Sequence, residues 1–139
     1  MMTPSQKSET ANGLALLISI QLIFPVDCEI TQIEVKKGEI NRKAIGYIYG
    51  FIDCALQHRQ ENITNIDVGL PILYHVFRKV FPGHEQTYID FLMAQMEDEV
   101  TVLGMLAGGQ EYSEFLREGK PPFGLSTLIL GNCPSGPVS

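Results

Sequence analysis

Carboxylates, thiols and imidazoles are the side chains with chemistry to offer here, and their spacing decides what they can do. His84-Glu85-Gln86-Thr87-Tyr88 comes nearest to a known arrangement, the H-E-x-x-H of zinc-dependent peptidases. Zinc there needs two imidazoles one helical turn apart on one face, and Tyr88 stands where the second belongs. Glu85 suits the positive end of a helix dipole and Tyr88 suits a core, so neither a metal nor a cofactor is expected.

Glu97-Asp98-Glu99 gathers three carboxylates, but consecutive helical residues point about 100° apart and do not converge on one ion. Glu99 is the informative member. Continued helical periodicity puts it beside Tyr88, Leu92, Leu103 and Leu106, where a carboxylate must find a partner or shift its pKa upward. Glu99 is therefore the candidate polar group of a ligand pocket, with Asp53 as a second and with Tyr47, Tyr49, Phe51, Met93 and Met96 as its lining. Glu111 and Glu114 form one E-x-x-E, half of the pattern that magnesium-dependent helical phosphohydrolases use, and the E-x-x-D half is missing. Cys54 and His58 are one turn apart on a largely apolar helix, where a thiol is inert packing rather than a nucleophile. His75 shares an edge with Arg78 and Lys79.

Gly46-x-x-x-Gly50 lacks the lysine of a phosphate-binding loop and lies inside a helical pattern. Glycine in a helix interior costs about 1 kcal/mol relative to Ala, so close packing must compensate. Cys54 extends the row of small residues by a turn, Phe51 lies beside it, and Lys43, Asp53 and Gln57 border it. This mixture predicts an interface between subunits, with an intramolecular helix crossing as the alternative.

These groups are carried mainly by helices. From Asn41, a good N-cap, Ile45, Ile48, Tyr49, Ile52 and Leu56 recur at three and four, predicting a helix over 42–60. Tyr47, Phe51 and Ala55 form a second apolar face, so that helix must be central or shared with another subunit. Asp67 is expected to cap a second helix, which Pro82-Gly83 ends. A third is expected over 84–107, closed by Gly108-Gly109, and a short fourth over 110–118, ended by Gly119. Residues 14–24 (LALLISIQLIF) are apolar almost throughout, which predicts burial on all sides; Ile20 and Ile23 lean the run toward a strand. Residues 29–35 (EITQIEV) then complete a short hairpin with it.

The predicted fold is mainly α, a compact bundle of about four helices with room for a short N-terminal β-hairpin, and α+β is the alternative. Residues 1–13 read as a loose arm, 14–130 as one helical domain and 131–139 as a Gly/Pro/Ser tail, with no internal repeat.

Composition narrows the function. The 139 residues are 45% hydrophobic and 19% charged, which is globular, and the formal charge of −6 disfavours nucleic acid or an anionic membrane as partner. The eleven-residue apolar run is far below the roughly 18 residues a membrane span needs, and it lacks the flanks of a secretory leader. Cys28, Cys54 and Cys133 are odd in number and widely spaced, so free thiols in the cytoplasm are expected. The resulting expectation is a non-catalytic interaction or assembly module, self-associating or binding another protein through its helices. The alternative is a small-molecule-binding protein or helical enzyme with its pocket near Glu99.

Overall fold

The chain is already helical at Pro4, well before its apolar run begins. Thr3 accepts the Gln6 backbone N–H at 3.1 Å while Gln6 Oε1 accepts that of Thr3 at 2.8 Å, and Pro4 takes the first helical position. This reciprocal cap satisfies two otherwise orphaned N–H groups and starts α1 (Pro4–Gln21). The computed structural model describes residues 2–22, 33–36 and 39–130.

Two expectations are corrected here. Most of the polar arm belongs to α1, because Asn12-Gly13 is tolerated inside a helix whose Ala11, Leu14, Ala15 and Ile18 are buried at helical spacing. The apolar run is helical as far as Gln21, and it is not buried on all sides: Leu16 and Ile20 face outward, Leu16 at 61% exposure. The described part of the strand expected at 29–35 belongs to β1 (Glu34–Lys36), which pairs antiparallel with β2 (Glu39–Ile40) in a short irregular ladder, while residues 14–21, its expected hairpin partner, are helical. Residues 23–32, the Lys37-Gly38 turn and the 131–139 tail lie outside the described residues, and with them Cys28 and Cys133.

Helix α2 (Arg42–Gln57) starts as expected at Asn41, whose Oδ1 accepts the Ala44 N–H at 2.9 Å. Both of its apolar faces are covered, so it is the central helix of the fold. It ends at His58; Gln60 takes a left-handed φ of 59°, with its N–H on Gln57 and the Glu61 N–H on Leu56, a Schellman closure. Helix α3 (Gly69–Val80) packs on α1 and carries Pro71 in its first turn. The expected Asp67 cap is not used: Val68 holds the position without a side-chain bond.

The single helix expected over 84–107 is two. Helix α4 (Glu85–Ala94) stops at Gln95, and α5 (Glu99–Glu118) begins when Asp98 Oδ2 accepts both the N–H and the hydroxyl of Thr101, each at 3.1 Å. An Asp able to cap locally competes with helix continuation, and Arg42 at 2.7 Å fixes this one from α2. Gly108-Gly109 does not end a helix; α5 runs through to Gly119, where φ is 67°. Helix α6 (Gly124–Leu130) closes the described fold by packing on α1, α2 and α5. The protein is mainly helical, a bundle assembled around α2.

Candidate functional site

Helix α5 meets α2 backbone to backbone. A Cβ on Gly46 would stand 2.1 Å from the Thr101 carbonyl oxygen, and one on Gly50 would stand 2.0 Å from that of Met105. The relationship is reciprocal, since a Cβ on Gly104 or Gly108 would meet the carbonyl oxygens of Lys43 or Tyr47 at 2.1 and 2.0 Å. Contacts advance in the same direction along both helices, so α2 and α5 run parallel, each lending two glycines to the other's carbonyls. Only glycine permits that approach.

The close contact expected of Gly46 and Gly50 therefore exists, and its partner is α5 of the same chain. The groove offered to a second subunit is filled from within. Phe51 is wholly buried, edge-on to Tyr112 with centroids 5.1 Å apart, and Cys54, a free thiol, lies 3.3 Å from Ser113 Oγ.

Both helices carry the same six-residue pattern: Ile45-Gly46-Tyr47-Ile48-Tyr49-Gly50 and Leu103-Gly104-Met105-Leu106-Ala107-Gly108. The sequence reading missed this short echo because it places Gly108 at a helix end. In α2 the two aliphatics behind the glycines, Ile45 and Ile48, are 0% exposed. Their counterparts in α5, Leu103 and Leu106, are 55% and 65% exposed. The cause is the break at 95–98, which turns Thr101, Gly104, Gly108 and Tyr112 inward and leaves the leucines outside.

A polar node lies at the other flank of α5. Tyr47 Oη donates to Glu111 Oε1 at 2.5 Å and approaches Gln21 Oε1 at 3.3 Å. Glu111 Oε1 also accepts the Gly124 N–H at 2.9 Å; Gln21 Oε1 accepts that of Leu125 at 2.9 Å; Ser126 Oγ donates to the Gln21 carbonyl. Burial, then the Glu111 hydrogen bond, pushes the Tyr47 hydroxyl well above its ordinary value, so it stays protonated and donates. The node joins α1, α2, α5 and α6 and fixes where α6 begins. Glu111, weighed in the sequence as half a metal motif, is thus a structural acceptor.

The residues expected to form a ligand pocket are dispersed. Glu99 is exposed in the first turn of α5 and is not on a buried face, because the helix restarts at Asp98. It borders an open hollow of about 460 Å³ with Glu97, Val102 and Leu103, which includes none of Tyr47, Asp53 or Met96. Tyr47 is buried in the node; Asp53 accepts from Gln57 Nε2 at 2.9 Å; Met96 packs against the core in the 95–98 break. Among the described residues no three His, Cys, Asp or Glu side chains gather as a metal site, and no helix is long and apolar enough to cross a membrane. Compared with protein-family models, with curated proteins and with solved structures, the chain gives no match.

Proposed function

We propose that this chain is a non-catalytic protein–protein interaction module that self-associates through the outer face of α5. The observation that carries the reading is the contrast between two equivalent pairs: Ile45 and Ile48 are covered, whereas Leu103 and Leu106 are bare. An apolar helix face left out of its own core gains most by meeting another apolar surface.

A second copy is the occupant that the row fits. Glu99, Leu103, Leu106 and Gln110 follow one another at intervals of four, three and four along the outward side of α5, so the spacing of the row is the same in both directions. Two copies related by a two-fold axis and running antiparallel set each Leu103 against a Leu106, and each Glu99 carboxylate against a Gln110 amide donor. Nucleic acid and membrane are not the proposed partners, and the cytoplasm is the proposed location. Charging the row tests the reading. The Leu103→Glu, Leu106→Glu double variant is expected to keep the helical circular dichroism of the wild type and to lose its self-association. A variant that associates as before removes α5 from the account.

A further inference from the structure

A hollow lies away from α5's outer face, between the first turns of α1 and the turn that ends α2. It has a volume of about 580 Å³ and is lined by Met2, Gln6, Glu9, Thr10, Arg59 and Glu61. Arg59 is set in place from behind. Its Nη1 donates to the Ala55 carbonyl at 2.8 Å and to Tyr112 Oη at 3.0 Å. One nitrogen thus anchors the guanidinium, and among the described residues its Nε and Nη2 donors meet no acceptor. A free guanidinium edge of this kind matches the two oxygens of a carboxylate.

The hollow also holds the opposite charge. Glu9 and Glu61 line it, yet neither forms an ion pair with Arg59. Between Arg59 and Glu61 sits Gln60, the one described non-glycine residue with positive φ. A side chain there is strained, and glycine would be the residue of choice for the Schellman closure alone. Arg59 and Glu61 flank this turn and line the same hollow with no ion pair between them.

We infer that this hollow binds a free α-amino acid, its carboxylate on Arg59 and its ammonium on Glu9 or Glu61, with Gln6 and Thr10 as further polar partners. The separated charges select a zwitterion: a simple anion meets two carboxylates, and a simple cation meets the guanidinium. The volume leaves room for a side chain, toward which Met2 offers the apolar part of the lining. This inference is independent of self-association through α5.

Titration of the ¹⁵N-labelled full-length chain with each of the common L-amino acids, followed by backbone amide shifts, tests it. Acetate and methylammonium, which carry one charged group each, serve as controls. At least one amino acid is expected to shift the amides of Gln6, Thr10, Arg59 and Glu61 in a saturable way, at concentrations where the controls do not. Arg59→Gln and the Glu9→Gln, Glu61→Gln double variant are each expected to weaken that binding by roughly tenfold or more. The double variant leaves the Arg59 anchor intact, so it reads binding even if Arg59→Gln unfolds the turn. No shift with any amino acid overturns the inference. So does acetate binding as strongly as the amino acids, or a double variant that binds like the wild type.

Discussion

Gly50 and Met105 approach so closely that a Cβ on the glycine would stand 2.0 Å from the Met105 carbonyl oxygen. A Cβ on Gly109, four residues further along α5, would stand 3.7 Å from the Gly50 carbonyl oxygen, and one on Gly13 in α1 would meet nothing within 4 Å beyond its own helix backbone. Three glycines inside helices thus give three different expectations for one substitution. Gly50→Ala forces the helices apart and is expected to cost about 2 kcal/mol or more, outweighing its propensity gain. Gly13→Ala meets no obstacle and is expected to stabilise by about 0.5–1 kcal/mol. Gly109→Ala should be close to neutral or mildly stabilising. Urea unfolding of the three variants checks the order, and a stable Gly50→Ala protein would contradict the close crossing.

Tyr47→Phe removes the hydroxyl that donates to Glu111 and leaves a half-buried carboxylate with one protein donor fewer. The expected loss is about 1.5–3 kcal/mol, the range for a hydrogen bond to a charged group. Glu111→Gln keeps an acceptor for Tyr47 and Gly124 and should lose less. Equal losses in the two variants would show that the charge, not the acceptor geometry, holds the node.

The α1–α3 packing should weaken in mild acid. His75 Nε2 lies 3.0 Å from Asn12 Oδ1, and burial first, then the Lys79 and Arg78 charges, holds its imidazole below the ordinary 6.5. The unfolded chain therefore takes up the proton first as pH falls. His75's contribution is whole above the ordinary value and declines between that value and the lower folded one. Stability of His75→Gln, followed across this window, should fall less steeply than that of the wild type. Parallel curves would remove His75 as the cause.

Asp98 shifts stability in the same sense as His75, but in the carboxylate range. The Thr101 backbone N–H it accepts, together with the Thr101 hydroxyl and Arg42, holds its carboxyl below the ordinary 3.8. Its stabilisation is present above the ordinary carboxylate range and is lost as pH falls through the lower folded value. Asp98→Ala should lower the melting temperature at neutral pH, whereas Asp98→Asn retains a capping acceptor and should lower it less. If helicity rose in Asp98→Ala, α4 and α5 would be fusing into the single helix that periodicity suggests.

The start of α2 at Asn41, its two apolar faces and the stop of α5 at Gly119 were legible in the sequence because each depends on local chemistry: a capping amide, a 3.6-residue period, a left-handed glycine. The break at Asp98 was not, since the apolar period runs on across it and the competing cap is stabilised by Arg42, distant in sequence. That one break shifts the phase of everything after it. It moves Glu99 from an apolar face to the surface, turns Leu103 and Leu106 outward, and makes Gly104 and Gly108 the partners of Gly46 and Gly50. The small-residue row pointed correctly to a close contact, but a row of glycines does not encode whether the approaching backbone belongs to the same chain. The hollow beside Arg59 was equally hidden, because residues near 6–10 and 59–61 meet only once α1 packs in the fold.

Sedimentation equilibrium of the wild-type chain over a wide concentration range addresses self-association most directly. The expected result is an average mass that rises with concentration from the 15.4 kDa of one chain toward twice that value, with the Leu103→Glu, Leu106→Glu variant remaining at the mass of one chain throughout. A wild type that stays at the mass of one chain up to its highest soluble concentration would contradict the account.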